Sequence, residues 1–334
     1  MKTEPSESSG SLKMPERSQQ LIRRKPTSGY VLLCVIATAV LVITCLSMLA
    51  VQSLKMGLRA ADEERMLQKR WGSRSMQQVL LANAERVFQQ REEQTRLSSG
   101  NSRIPAVLRS QLVLGNVTFD MLLADEDAKL PLNTLYHHAG RKKTEEWIRL
   151  SSGPNVQIAT RLNPAVPPLR LDRERAGTRM IDDIDEETEL DLPDAFRSWG
   201  EVFDLTTLNR FTGAPLALET NTTDLTCWGS GQLNFRRASD DAILAMTSTV
   251  VQDGKARRIL QRYRSSPTAT LSTLLQSEIS DEQERVRLQS MLSETSTNFS
   301  ISIDARSPTG PSLRTFTVMK RDAEGVSQKQ RFSY

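Results

Sequence analysis

The run VLLCVIATAVLVITCLSMLAV, residues 31–51, lies inside a stretch from Tyr30 to Leu54 that contains no charged residue. A helix rises about 1.5 Å per residue, so a run of this length can cross a hydrocarbon layer of roughly 30 Å. Six basic residues precede the run against three acidic ones. By the positive-inside tendency, the sequence predicts a single-pass membrane protein with a cytoplasmic N-terminus and an exported main domain.

Charge and cysteine content limit what the exported part can be. The 334 residues carry a net charge of +4, with basic and acidic residues mixed along the chain. This pattern favours a solvated surface over a nucleic-acid-binding face. Of the three cysteines, Cys34 and Cys45 lie in the apolar run and only Cys227 lies beyond it. No intramolecular disulfide is therefore available to the exported part.

The chain after the apolar run predicts an α+β fold. Met76, Leu80, Ala84 and Phe88 recur at helical spacing, which predicts an amphipathic helix ending near residues 98–100. Two short β-rich runs around a Gly-Asn pair predict a hairpin, and two alternating runs near the C-terminus predict strands that return to it. We expect a small antiparallel sheet built from residues 107–123 and 298–320. The predicted division is a leader (1–29), a transmembrane helix (30–54), an amphipathic spine helix (55–98), the first part of the sheet (99–140), a mostly helical insert (141–290) and C-terminal strands (291–334).

Three consecutive acids stand in LADEDAKLPLNTL, residues 123–135, where the second strand of the hairpin is expected to end. In an extended segment Asp125, Glu126 and Asp127 would point to alternating sides, so they would not converge on one substrate. Acid-base catalysis requires two carboxylates held together in a cleft, and a calcium loop requires acids at alternate positions with a central glycine. A structural connector is the favoured interpretation over a catalytic or metal site.

Other signs of catalysis or metal binding are weak. The only histidines, His137 and His138, are adjacent, and no Gly-x-Ser-x-Gly or phosphate-binding loop occurs. The acidic run 182–191 could hold a cation through oxygen ligands, but an acidic surface loop is favoured. The candidate ligands are Asp182, Asp183, Asp185 and Glu186. We expect a protein that is not an enzyme and has neither a bound metal nor a cofactor.

Four segments, in the same order along the chain, resemble the minor pseudopilin K family of type II secretion systems. They are LADEDAKLPLN (123–133), FRSWGEVFDLTTLNR (196–210), WGSGQLNFRRASDDAILAM (228–246) and NFSISIDAR (298–306). The positions that match the family pattern and are taken as its structural motif residues are Asp125, Glu126, Lys129, Asn133, Ser198, Glu201, Gly231, Asn234, Ala238 and Ser239. The chain departs from the pattern at Ala128, Pro131 and Arg236. Independently of the family, Ser198 with Glu201 predicts a capping box, and Ser239 followed by two acids predicts a helix start.

This resemblance implies a pilin-like fold and a structural role. Gly29 would precede the site cut by a prepilin peptidase, and Tyr30 would become the methylated first residue of the mature chain. Cys34 stands where most pilins carry a glutamate, a departure that resembles the subunit at the pseudopilus tip. The implied partners are other minor pseudopilins, the pseudopilus, the peptidase and membrane lipid. The implied location is the bacterial inner membrane, with the main domain in the periplasm.

An alternative resemblance points to a membrane-anchored DNA-binding protein. GQLNFRRASDDAILAM and DGKARRILQRYR together resemble the helix-hairpin-helix of competence DNA receptors, with basic residues that could meet phosphates. That motif requires a Gly-x-Gly hairpin, and only Gly254 is present. An ordinary amphipathic helix with its arginines outward is favoured, and no nucleic acid is expected as a partner.

Overall fold

A computed structural model describes residues 28–99, 104–153, 156–159, 196–212, 216–265, 270–322 and 325–333. The leader before Ser28 and the acidic run 182–191 lie outside these described residues. The chain forms two compact units, residues 1–61 and 62–334.

The first unit contains the N-terminal part of helix α1, which runs from Ser28 to Ala82. Within the described residues, one helix is long and apolar enough to cross a membrane, with a mean hydropathy of 2.7 near the N-terminus. Thr38 donates to the carbonyl oxygen of Cys34 at 3.0 Å, and Thr44 donates to that of Leu41 at 2.8 Å. These bonds satisfy both hydroxyls inside the helix, as an apolar surrounding requires.

The second unit begins with the rest of α1 and with α2, Ala84–Ser99. A single helix over 55–98 was predicted, whereas the structure has a break at Asn83, whose side-chain amide donates to the carbonyl oxygen of Val79 at 2.8 Å. The predicted apolar face is buried: Ala84 and Phe88 are fully covered. The same face carries a buried lysine, Lys69, which donates to the carbonyl oxygen of Pro311 at 2.7 Å.

A five-stranded antiparallel sheet packs against this helical face. Its strands are β1 (Val107–Leu114), β2 (Val117–Asp125), β3 (Asn298–Arg306), β4 (Leu313–Asp322) and β5 (Gly325–Ser333), in the order β1-β2-β3-β4-β5. Strand β2 pairs with β3, so strands that precede and follow the helical segments of the second unit share one sheet. The predicted α+β class, with a long N-terminal helix, an antiparallel sheet and many helices, is confirmed. The sequence analysis missed β5.

Both faces of the sheet are covered. Phe119, Phe299 and Ile301 face α1 and α2 in one apolar cluster. The alternating residues Ser300 and Asp304 are also buried, because the segments between β2 and β3 cover the second face. The apolar residues of β3 therefore face the cluster beside α1 and α2, while its polar residues face a second buried layer that also contains Phe316 and Val318.

The segments between β2 and β3 are mostly helical. The helices are α3 (Leu132–Ser152, broken at Gly140), α4 (Leu205–Thr212), α5 (Ala217–Asn221), α6 (Asp240–Thr247), α7 (Asp253–Ser265), α8 (Leu271–Glu278) and α9 (Glu282–Met291). Two short parallel bridges join this region: Leu130–Pro131 with Leu225–Thr226, and Leu233–Asn234 with Leu292–Ser293.

One predicted helix start is correct and another is wrong. The Ser239 hydroxyl accepts the Ala242 N–H at 3.2 Å and caps α6 as predicted. Ser198 makes no side-chain cap and precedes only a 3₁₀ turn, and Glu201 accepts the N–H of Arg197 at 2.8 Å, one residue before the position that a capping box uses. Helix α4 begins later, where Asp204 accepts the Thr207 N–H at 2.8 Å.

Candidate functional site

The three consecutive acids form a buried 3₁₀ turn at the end of β2. Asp125 caps the turn Glu126–Ala128 by accepting the N–H groups of Asp127 at 3.1 Å and Ala128 at 3.2 Å. Each of the three acids is at most 1% exposed. The sequence analysis predicted that the three side chains would point to alternating sides of an extended segment. That premise was wrong, because the segment forms a 3₁₀ turn. The three side chains nonetheless contact different parts of the protein.

Asp127 is held by backbone N–H groups from two separate segments. Its Oδ1 accepts the Ser230 N–H at 2.6 Å. Its Oδ2 accepts the N–H groups of Thr297 at 2.7 Å and Asn298 at 3.0 Å, at the start of β3. Hydrogen bonds to an ionised carboxylate are stronger than those between neutral groups. Asp127 therefore fixes the loop before Gly231 to the first residue of the returning strand.

Glu126 binds a cation and two hydroxyls. Its Oε1 accepts from Lys129 at 2.7 Å and from the Ser300 hydroxyl, while its Oε2 accepts from the Thr226 hydroxyl. The Lys129 side chain is 10% exposed and that of Glu126 1%. A buried charge requires this kind of pairing. Glu126 thus ties the turn to β3 and to the bridge at residues 225–226.

Asp125 is the member of the turn that contacts the arginine at the centre of the site. Its Oδ2 accepts from Arg237 at 3.0 Å and from the Ser296 hydroxyl at 2.6 Å. Burial, with the nearby charge of Asp127, raises the pKa of Asp125 to about 7, against the opposing charge of Arg237. Asp125 therefore titrates near neutral pH, unlike an exposed aspartate.

Arg237 connects the turn to helix α2. Its Nε donates to Glu92 at 2.6 Å, and its Nη1 and Nη2 donate to the two carboxylate oxygens of Glu85 at 2.8 and 2.9 Å. The guanidinium also lies 5.3 Å from the centre of the Phe88 ring. Burial alone would lower the pKa of Arg237, but the hydrogen bonds that it donates to Glu85 and the charge of Asp125 raise this pKa. We call Glu85, Glu92, Arg237 and the 125–127 turn the ionic hub.

The pKa of Glu85 moves in the opposite direction to that of Asp125. Burial raises it, but the hydrogen bond and the charge of Arg237 outweigh burial and leave it below the usual range. The sequence analysis missed Arg237, Glu85 and Glu92 as site residues. Two features of the sequence could have indicated them. Arg237 directly follows Arg236, where the chain departs from the family pattern, and Glu85 and Glu92 lie seven residues apart on the predicted spine helix.

Other matched positions lie around the hub. Asn234 donates to the Ser296 hydroxyl at 2.6 Å, and Ser296 in turn donates to Asp125. Asn133 accepts the Phe196 N–H at 2.7 Å and donates to the carbonyl oxygen of Cys227 at 3.3 Å. Gly231 has a φ of +79°, a left-handed conformation that favours glycine.

The remaining predicted residues play local roles or lie elsewhere. Ala238 is fully buried and Ser239 caps α6. Ser198 and Glu201 belong to the 3₁₀ turn around Trp199, whose ring packs edge-on against that of Trp228. Gly29 and the exposed Tyr30 lie in the first turn of α1, in the first unit.

The basic residues of the DNA-binding alternative are largely engaged within the protein. Lys255 pairs with Glu284 at 2.9 Å, and Arg264 pairs with Asp240 at 3.1 Å. Arg262 pairs with Glu278. Arginines that pair with carboxylates contribute less positive potential toward a phosphate backbone.

All six carboxylate oxygens of the 125–127 turn accept hydrogen bonds from the protein. This arrangement joins α2, the sheet and the α6 region at one point. Within the described parts of the chain, no group of three His, Cys, Asp or Glu side chains is placed to hold a metal ion. The geometry of the ionic hub suits mechanical connection, in which one guanidinium and one turn hold several segments of the chain together.

The comparison with solved structures found similar chains. No family model matches the sequence, and no curated protein matches it. The fold is similar to the crystal structure of the GspK-GspI-GspJ complex from the enterotoxigenic Escherichia coli type 2 secretion system. The identity is 14% and the TM-score is 0.38, over 82% of this chain and 99% of that chain.

Proposed function

We propose that the chain is a minor pseudopilin of a type II secretion system, a structural subunit at the pseudopilus tip that supports protein export. In this role α1 anchors the subunit in the bacterial inner membrane, with a cytoplasmic N-terminus and a periplasmic second unit. The protein works by shape and contact, without catalytic turnover.

The observation that carries the proposal is the convergence of residues from separate matched segments. Asp125 and Glu126 come from the first segment, Asn234 from the third, and β3 forms the last. These positions were chosen by resemblance in sequence, and they meet through Ser296 and Ser300 in one buried site. These residues hold separate segments of the fold together, which is the contribution expected of motif residues in a structural subunit.

Assembly through the apolar helix fits the same role. An ionised glutamate in a bilayer is costly unless a neighbouring subunit pairs with it. Cys34 stands in place of that glutamate, so the apolar helix of this chain carries no charge that a neighbouring subunit would have to pair. A subunit at the tip of the pseudopilus fits this condition. The proposed partners are other minor pseudopilins and the body of the pseudopilus, and lipid covers the rest of the helix.

The N-terminus of the protein in native membranes tests the proposal. Mass spectrometry should find a chain that begins at Tyr30 with a methylated amine, produced by a prepilin peptidase. The variant Gly29→Leu should retain the leader, whereas Gly57→Leu, with open space around the glycine, should be processed normally. A mature chain that still begins at Met1 would reject the proposal and leave a plain anchored protein.

Binding to duplex DNA separates the alternative function. A competence-type receptor must bind DNA tightly at low salt and lose affinity steeply as salt rises. We expect no such binding from the purified full chain. A steep salt-dependent shift that disappears in the variant Arg257→Ala/Arg258→Ala would favour the DNA receptor instead.

A further inference from the structure

Helix α2 is held to the rest of the protein by two kinds of contact along its length. Its first half packs Phe88 into the apolar cluster against the sheet. In its second half, residues 89–99, Glu92 is the one buried side chain. Glu92 accepts from Arg236 and from Arg237, each at 2.6 Å. The second half of α2 therefore depends on ion pairs, and few apolar contacts oppose its local opening.

Asp125 lies beneath this helix. It stands opposite Phe299 in the pairing of β2 with β3, and it follows Phe119 by an even number of residues. Its side chain therefore lies on the sheet face that α1 and α2 cover. The Arg237 guanidinium donates both to this carboxylate and to Glu92 of α2. Asp125 is fully buried in this position, so its carboxylate reaches water only when the segments above it move.

The ionic hub and its neighbours hold more acids than cations. Lys129 pairs with Glu126, and backbone N–H groups bind Asp127. Asp125 has no cation of its own among the described residues, because it shares Arg237 with both glutamates of α2. Like charges held close together in a buried site disfavour the ionisation of one member. The charged groups around Asp125 are Glu85 and Glu92 on α2, Glu126, Asp127 and Lys129 after β2, and Arg236 and Arg237 before α6.

Opening of α2 relieves this excess of negative charge. With α2 closed, burial and the charge of Asp127 raise the pKa of Asp125 to about 7, against the charge of Arg237. With α2 open, water reaches the carboxylate, and its pKa returns toward the ordinary 3.8. The closed state therefore binds the proton more tightly, and ionisation of Asp125 favours the open state. Because α1 ends at Ala82 and α2 begins at Ala84, α2 can leave the sheet without bending α1.

We propose that α2 is a pH-sensitive cover over the end of β2, which stays closed while Asp125 holds a proton and opens more often as Asp125 ionises near neutral pH. Opening exposes Phe88 to water while the sheet stays intact. Glu85 does not contribute to this response. Burial raises the pKa of Glu85, but Arg237 outweighs burial and lowers this pKa overall, so Glu85 stays ionised throughout the neutral range. The inference does not depend on the proposed role in secretion.

Hydrogen exchange of the full chain in detergent, followed by mass spectrometry, tests the proposal. Between pH 6 and pH 8, after correction for the intrinsic exchange rates, the protection of the α2 amides should fall about tenfold, as the loss of one proton with a pKa near 7 requires. Low concentrations of denaturant should leave the exchange of α2 unchanged and accelerate that of β3, because β3 exchanges through global unfolding. Equal protection of α2 at both pH values, or exchange of α2 and β3 that rises together with denaturant, would overturn the proposal.

Two aspartate variants identify the group that titrates. Asp125→Asn keeps the shape of the side chain but cannot ionise, so the protection of α2 should be the same at pH 6 and pH 8. Asp304→Asn is the matched control, because Asp304 is also buried and burial also raises its pKa, but it lies on the opposite face of the sheet. This control should retain the fall of about tenfold. A pH response that persists in Asp125→Asn, or that disappears in Asp304→Asn, would refute the assignment to Asp125.

Discussion

The sheet and the helices beside it are held together in two different ways. Against α1 and α2 the contact is apolar, through Phe119, Phe299 and Ile301. At the end of β2 it is ionic, through Arg237 and the 125–127 turn. Apolar burial stabilises without direction, at roughly 25 cal/mol per Å². A buried ion network loses hydration, so its contribution to stability is small, but each bond has a direction. We infer that the apolar cluster supplies stability and the ionic hub fixes which segments meet.

The two regions meet at Phe88. Its ring lies 6.0 Å from that of Phe299 on the apolar side and 5.3 Å from the Arg237 guanidinium on the ionic side. Glu85 and Glu92 stand one turn on either side of it along α2. This helix therefore carries both kinds of contact, and changes confined to one region can be compared with changes in the other.

The largest expected effect is the loss of the central cation. Arg237→Met leaves Glu85, Glu92 and Asp125 without their shared partner, and breaking a buried ion network in this way costs about 3 to 5 kcal/mol. The free energy of unfolding of the full chain in detergent, from denaturant titration followed by tryptophan fluorescence, measures it. The matched control Arg258→Met changes an exposed arginine on α7 and should cost less than about 0.5 kcal/mol. Similar losses in both variants would contradict the central role of Arg237.

The contrast explains what the sequence could and could not predict. The apolar region follows from local periods: Met76, Ala84 and Phe88 recur at helical spacing, and Phe299 and Ile301 alternate as strand residues do. The ionic hub depends on partners far apart in sequence, such as Arg237 with Glu92, 145 residues away. A charged side chain in a sequence is normally solvated, and only the fold shows which charges are buried together.

The 3₁₀ turn shows a second feature that the sequence analysis could not predict. The sequence analysis located Asp125, Glu126 and Asp127 at the end of a strand correctly, but treated the acids as extended. Their coiling depends on the hydrogen bonds of Asp125 to its own turn and of Asp127 to Ser230 and Asn298. The predicted capping box at Ser198 is also wrong, since Ser198 makes no cap and the Glu201 carboxylate accepts the N–H of Arg197.

The next effect tests how closely the hub is packed. A Cβ on Gly229 would lie 3.0 Å from the Glu126 carbonyl oxygen and 3.1 Å from the Thr226 methyl group. Gly229→Ala should therefore destabilise the protein by about 1 to 3 kcal/mol, as overpacking does. Gly254→Ala is the same change at a glycine in α7 with nothing within 4 Å, and it should be neutral or stabilising by up to about 1 kcal/mol. Thermal unfolding of both variants gives the comparison, and equal shifts would show that the hub tolerates extra volume.

A smaller effect is expected in the apolar region. Ile301 is fully buried in β3, and Ile301→Val removes one methylene group, which should cost about 0.5 to 1.5 kcal/mol. Val286→Ala, on the exposed side of α9 at 56% exposure, should change the free energy of unfolding by less than about 0.5 kcal/mol. If Ile301→Val cost nothing, the apolar cluster would not be the well-packed source of stability inferred above.

The pH dependence of stability separates the two regions most finely, because the ionic hub contains Asp125, whose pKa lies near neutral, whereas the apolar cluster of Phe119, Phe299 and Ile301 is built from side chains that do not titrate. Asp125 has a pKa of about 7 in the folded protein, above the ordinary 3.8, so between these values the folded state holds a proton that the unfolded state has lost. Its contribution to stability is therefore complete at low pH and is lost as pH rises through about 7. Glu85 acts in the opposite sense, since its lowered pKa gives stability that is lost only on acidification below its ordinary pKa of 4.5.

Raising the pH from 6 to 8 should therefore reduce the stability of the unmodified chain relative to Asp125→Asn by about 1 kcal/mol. The pKa of Asp304 is also raised, first by burial, but this residue is present in both chains and its effect cancels in the difference. Denaturant titrations of the two chains at both pH values measure this difference. Parallel pH profiles would mean that Arg237 keeps Asp125 ionised throughout, and the hub would then be a permanent ion network whose strength does not change near neutral pH.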